Sequence, residues 1–199
     1  MGDIEPPILR TVSKVAEIPA DQWNACANPN PARYNPFTDH AFLLALEESG
    51  SATPETGWAA QHLIIESSEA GQIAGIVPLY LKSHSQGEYI FDHGWANAFE
   101  RAGGAYYPKL LSAVPFTPAT GSRFLVRDNR ADLKTALAEG METLMEKYQL
   151  SSAHINFLPS DDAHQLAAAG WLDRNSIQFH WHNHNYTDFD DFLDDLSSR

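Results

Sequence analysis

The sequence predicts a mixed α/β (α+β) fold in which a mostly antiparallel, twisted sheet is flanked by helices. Three observations lead there. An amphipathic helix precedes a block of strands between residues 61 and 93. A second helix, marked by Leu133, Leu137, Met141, Leu144 and Tyr148 at helical spacing, separates that block from the last third. The last third then alternates strand, helix and strand, the order that crossover helices over a mixed sheet produce. With 199 residues, 43% hydrophobic and 20% charged, the chain can bury one sizeable core or two small ones.

The opening third reads as helical with short breaks. Pro19 begins a helix through Trp23 and Ala25, and Asn28-Pro29-Asn30-Pro31 breaks it. Asn35-Pro36-Phe37-Thr38-Asp39 supplies turn and N-cap chemistry for a helix with Phe42, Leu43 and Leu46 as its apolar stripe, stopped at Ser49-Gly50. Strands follow at 62–66, 72–82 and 88–93, with a turn at Glu69-Ala70-Gly71. Pro78 removes a ladder donor from the second of these, which places it at an edge or at a bulge that splays the sheet. Residues 91–127 are rich in aromatics, Gly and Pro and read as a long functional loop. A short strand at 123–127 leads into the second helix, with Asp128 or Asn129 as its cap. Beyond it come a strand at 153–158, a helix at 161–169 capped by Ser160 and stopped by Gly170, and a strand at 176–185.

Composition excludes several functions. The formal charge of −13 argues against a broad phosphate-binding surface, so this segment is not expected to bind nucleic acid directly. No run reaches the roughly 18 apolar residues of a membrane span. Met1 to Arg10 lacks the basic start and apolar run of a secretory signal, so the expected location is cytoplasmic. The single cysteine, Cys26, can form no internal disulfide and reads as a buried spectator thiol.

Several blocks are more specific. They are Asn35-Pro36-Phe37 with His40-Ala41-Phe42-Leu43, the run from Pro78 to Ser85, Gly87-Glu88-Tyr89-Ile90-Phe91-Asp92-His93, Glu100-Arg101-Ala102-Gly103-Gly104, Tyr107-Pro108-Lys109-Leu110 and Ala113-Val114-Pro115-Phe116-Thr117-Pro118. In these blocks the chain resembles the FemAB-like family of the GNAT acyltransferase superfamily, often labelled peptidoglycan biosynthesis/recognition. The resemblance implies a GNAT-like sheet over residues 1–187 and a helix beginning at 188–199 that leads into a second GNAT-like half, whose basic helix would pair with the acids of 188–195. It also implies acyl or aminoacyl transfer to a small-molecule or peptide-like amine, with acyl-CoA or aminoacyl-tRNA as donor in the full-length protein. The usual glycine-rich pyrophosphate loop of acetyl-CoA-binding GNAT enzymes is absent, since the junction reads Val126-Arg127-Asp128-Asn129-Arg130-Ala131. Arg127 and Arg130 are the remaining groups there that can meet a diphosphate.

Transfer to an amine needs a proton acceptor, oxyanion donors and a dry cleft. Asp92, His93 and Glu100 are the expected catalytic residues, and Trp95, Arg101, Tyr106, Tyr107, Lys109 and Thr117 the expected acceptor-binding residues. The competing reading makes Phe91, Trp95, Phe99 and Tyr107 core and Glu100-Arg101 a structural ion pair. His154 and Asn156 are secondary candidates on their strand. His180, His182 and His184 would share one face of the last strand, but same-face neighbours there lie roughly 6.5 to 7 Å apart, so no metal is expected. A recognition domain that keeps the fold without donor binding is the alternative function.

Overall fold

A computed structural model describes residues 8–67 and 71–196. It contains eight strands and six α-helices among those residues, besides short 3-10 turns: β1 (Ile8–Val12), α1 (Ala20–Ala27), α2 (His40–Glu48), β2 (Trp58–Ala60), β3 (His62–Glu66), β4 (Ile73–Val77), β5 (Tyr80–Lys82), α3 (His93–Arg101), β6 (Lys109–Ser112), β7 (Leu125–Val126), α4 (Ala131–Lys147), β8 (Ala153–Ile155), α5 (Ser160–Ala168) and α6 (Phe189–Asp195). The mixed α/β class is as expected, but the strands form two four-stranded sheets, ordered β1-β3-β4-β7 and β2-β5-β6-β8. All pairs are antiparallel except β6 with β8.

One long hairpin joins the two sheets. β2 and β3 are consecutive, as are β4 and β5, and the pairing keeps one register from Trp58↔Lys82 through Ala60↔Tyr80 to Leu63↔Val77. The Gln61 N–H donates to the Leu79 carbonyl at 2.7 Å inside the gap. On the other side of the β4–β5 ribbon the partner changes: β7 pairs with β4 and β6 with β5. Pro78 sits at this fork, at neither an edge nor a bulge. It has no N–H to give, its carbonyl accepts from Ser112 Oγ at 2.8 Å, and the next N–H, that of Leu79, donates to His62 Nδ1 at 3.1 Å.

Both faces of the first sheet are covered. Leu63, Ile65 and Val77 meet Leu133, Leu137, Met141 and Leu144 of α4, while Ile64, Ile73 and Ile76 meet Trp23 and Cys26 of α1 and Leu43 of α2. Glycine allows the close approach of α4. A Cβ on Gly140 would fall 2.5 Å from Leu9 Cδ2, and one on Gly75 3.2 Å from Leu137 Cδ1. Asp39 caps α2 by accepting the Ala41 N–H at 2.8 Å, and Gly50 ends that turn at φ +76.

Several expectations are corrected. Residues 8–12 are a strand rather than part of a helical third, because β3 offers an edge for five residues to pair with. Residues 91–127 are not one loop but hold α3, β6 and β7. Residues 88–92 form no strand; Tyr89 takes φ 56 and the backbone turns into α3. Asp128 and Asn129 do not cap α4, since both adopt left-handed backbone and Arg130 holds the N-cap position. Pro159, not Ser160, holds the N-cap position of α5. Residues 176–185 form no strand and are exposed along their length. Glu69 and Ala70 of the expected turn lie outside the described residues; Gly71 has φ +80.

Leu137 is wholly buried between α4 and the first sheet. Leu137→Ala is expected to lower the unfolding free energy by about 2–5 kcal/mol, read from the urea midpoint at unchanged m-value.

Candidate functional site: a buried row of charge beneath a turn

One face of the second sheet carries the site. The register sets Trp58 of β2 opposite Lys82 of β5, and Lys82 opposite Lys109 of β6, so these three side chains form a row across three strands. The next row on that face holds Ala60, Tyr80, Leu111 and, on β8, His154. The opposite face, through Leu110 and Ala153, packs into the α4 core. Two ammonium groups opposite each other in an apolar sheet repel and are costly to desolvate, so the chain must supply counter-charge.

That counter-charge comes from residues 83–92, which fold back over the row. Lys109 Nζ donates to Glu88 Oε2 at 2.8 Å, Asp92 Oδ2 at 2.6 Å and Ser85 Oγ at 2.9 Å, so all three of its protons are used. Tyr106 donates its hydroxyl to the same Asp92 oxygen at 2.8 Å, and Ser85 Oγ lies 2.7 Å from the Tyr107 hydroxyl. Lys109 and both acids are about 1% exposed at their side chains. Asp92 holds the N-cap position of α3 yet makes no cap bond, because its carboxylate turns to Lys109 instead.

The polar demands of this cluster are not all met. Glu88 Oε1, Asp92 Oδ1 and Trp58 Nε1 are buried with no hydrogen-bond partner. Lys82, wholly buried, lies 3.5 Å from the centre of the Trp58 ring and gives its one hydrogen bond to the Gln86 carbonyl at 3.4 Å. Burial, aided by the charge of Lys109, brings Lys82 down to about 8 although Glu88 opposes this. Burial raises Glu88 above the usual carboxylate range even though Lys109 pulls it the other way. Burial acts the same way on Asp92, but there the bonds from Lys109, Ser85 and Tyr106 win and hold its carboxyl low. Burial and donation to Asp92 push Tyr106 up. At the half-buried margin, His154 Nε2 lies 2.8 Å from Ser152 Oγ, and burial together with Lys109 lowers the imidazole to about 4.

Of the residues expected from sequence, the structure gathers Asp92, Tyr106, Tyr107 and Lys109 in this cluster. The others lie elsewhere. His93 and Glu100 are exposed on α3, and Arg101 is exposed there with its Nε on the Asn97 carbonyl at 3.1 Å, so Glu100-Arg101 is no ion pair. Phe91, Trp95 and Phe99 are exposed rather than core, and Arg174 lies 5.9 Å from the Trp95 ring. Thr117 bonds the Pro115 carbonyl within its own loop at 3.1 Å. Arg127 is committed to the Ile73 carbonyl at 2.8 Å and Gln22 at 2.9 Å, and Arg130 pairs with Asp132. Both arginines thus have protein partners, and Asp128 and Asp21 line the shallow groove of about 420 Å³ beside Arg127. Ser85, Glu88 and Lys82 were missed as site residues. Their signal was a lysine in phase with the buried Tyr80 on β5, a parity that asks for a buried counter-ion.

His180 and His182 stack at 6.3 Å on the exposed chain, and among the described residues no group of three or more His, Cys, Asp or Glu side chains is placed to hold a metal ion. Among the same residues no helix is long and apolar enough to cross a membrane.

These features define a mixed α/β protein whose second sheet buries a lysine–carboxylate–tyrosine cluster beneath a turn. By sequence the chain belongs to the FemAB-like family, described as peptidoglycan biosynthesis/recognition, whose pattern matches residues 14–199. No curated protein matches it. A crystal structure of a ribosomal-protein-alanine N-acetyltransferase from Brucella melitensis biovar Abortus 2308 is similar with a TM-score of 0.49 at 11% identity, covering 88% of this chain and 100% of that one.

The neutral His154 gives a pH prediction. Its folded value, about 4, lies below the unfolded value of 6.5, so the unfolded chain binds the extra proton between them. Stability from this residue is complete above pH 6.5 and is lost as pH falls toward 4. His154→Gln is expected to flatten the drop in unfolding free energy between pH 7 and pH 5 by roughly 1–2 kcal/mol, read from urea titrations at the two pH values.

Proposed function

We propose that this chain takes part in N-acyl or aminoacyl transfer and holds the acceptor amine at Glu88 and Asp92. The observation that carries the reading is the pair of unpartnered oxygens, Glu88 Oε1 and Asp92 Oδ1, on two buried carboxylates that share Lys109. Each such oxygen costs on the order of 1–3 kcal/mol while unpaired, and an ammonium group brings the donors that would relieve both. Membership of the FemAB-like family supports an acyl-transfer class and a peptidoglycan-precursor acceptor.

The roles follow from the electrostatics. Glu88, raised by burial, is the better proton acceptor for the bound ammonium, while the depressed Asp92 stays ionised and holds it. The neutral amine then attacks the acyl carbonyl; as the C–N bond forms and the C–O or C–S bond to the donor breaks, the further proton given up by the nitrogen goes to the leaving alkoxide or thiolate. Once the turn lifts and takes Ser85 with it, the Tyr107 hydroxyl is released from their shared bond as a donor for the developing oxyanion. Residues 83–90 must lift for substrate to enter, because the acids are covered.

A second reading is a recognition domain that binds the acceptor without transfer. It is favoured by the engagement of Arg127 with Ile73 and Gln22 and of Arg130 with Asp132. Titration with a muramyl peptide, followed by assay with acyl-CoA and with aminoacyl-tRNA, separates the two. Transfer that Glu88→Gln lowers by about 10²–10⁴, beyond any loss of acceptor affinity, supports the enzyme. Saturable acceptor binding with no transfer from either donor supports recognition. Transfer unchanged in Glu88→Gln refutes the assignment of the base.

A further inference from the structure

The same turn covers donors as well as acceptors. Lys82 has three ammonium protons, a single long hydrogen bond and no carboxylate within ion-pair distance, although Glu88 and Asp92 both converge on Lys109 one strand away. The indole N–H of Trp58, whose ring Lys82 overlies, is buried and unpartnered. Cover over this corner is thin. Gln86, whose carbonyl takes Lys82, is itself exposed, and Gly87 follows at φ +78, pressed so close that a Cβ there would lie 2.6 Å from Phe116 Cε1 and 3.3 Å from Trp58 Cζ2. The Gly87 carbonyl is tied to the Phe116 N–H at 3.1 Å.

We propose that Lys82 and the Trp58 indole N–H form an anchor for a carboxylate on the acceptor, so that the site beneath residues 83–88 takes a ligand bearing both an amine and a carboxylate: an amino acid or the free end of a peptide. This rests on the reading of Glu88 and Asp92 as the amine site and adds the second half of a zwitterion pocket. The complementarity is of number and kind. Two acceptor oxygens lack donors in the cluster, and beside them stand an ammonium with a single long bond and an indole N–H with none. A carboxylate there would also supply the counter-charge that lifts Lys82 back from about 8.

The test is calorimetric titration of the whole chain with three probes: L-lysine, L-lysinamide, which keeps the amines and lacks the carboxylate, and Nα,Nε-diacetyl-L-lysine, which keeps the carboxylate and lacks both amines. L-lysine is expected to bind about 10- to 100-fold more tightly than lysinamide, and Lys82→Gln should weaken L-lysine by a similar factor while leaving lysinamide unchanged. The probe comparison on the unmodified protein stands even where Lys82→Gln fails to fold. Equal affinity for lysine and lysinamide overturns the carboxylate anchor and leaves the amine site in place. Diacetyl-lysine binding as tightly as lysine, with loss on Lys82→Gln, keeps the anchor and sinks the amine site. No binding of any probe overturns both.

Discussion

An ammonium group held between two carboxylates inside an apolar sheet is the constraint on which this half of the molecule depends. Lys109 is fixed on β6 by pairing on both sides, antiparallel to β5 and parallel to β8. Its charge cannot stay buried unmatched, so residues 83–92 must fold back until Glu88 and Asp92 reach it. Removing one member of such a buried set typically costs about 3–5 kcal/mol, since the others are left uncompensated. The start of α3 follows: Asp92 forgoes its cap bond and spends its carboxylate on the lysine. Local helix chemistry yields here to a long-range charge.

The fork at Pro78 makes room for this arrangement. The hairpin keeps its register across the proline, so Trp58 and Lys82 stay in line, while the change of partner from β7 to β6 brings a second lysine alongside the first. A proline is tolerated in mid-ribbon because the break falls where the third strand is exchanged. His62, wedged edge-on between Trp23 and Tyr80, accepts the Leu79 N–H and donates to Glu47 at 3.2 Å, tying the fork to α2. The first sheet, sandwiched between α4 and the α1–α2 pair, is the frame. The second sheet carries the polar chemistry.

Elements with their own periodicity and punctuation were legible in the sequence. The Asp39 cap, the Ser49-Gly50 stop and the apolar stripe of α4 act within a few residues, and local signals specify them. β1, β2 and β6 were not, because three to five residues beside Gly, Pro and aromatics carry too little pattern, and their strand character comes from a partner edge far away in the chain. The same distinction divides the site. Asp92, Tyr106, Tyr107 and Lys109 stood out because polar and aromatic groups crowd one segment. Lys82 and Ser85 did not, since the cross-strand register brings the first there and the fold-back of the following turn the second. His93, Glu100 and Arg101 shared the crowded segment, but α3 turns them to solvent.

Amide hydrogen exchange across residues 83–92, measured with and without an amino-acid probe carrying free amine and carboxylate, separates a ligand site in the covered cluster from a purely structural ion pair. In a ligand site the turn opens on its own and closes over the probe, so protection rises in 83–92 while β3, β4 and α4 stay unchanged. Protection in 83–92 that matches the core strands and does not respond to the probe would contradict it.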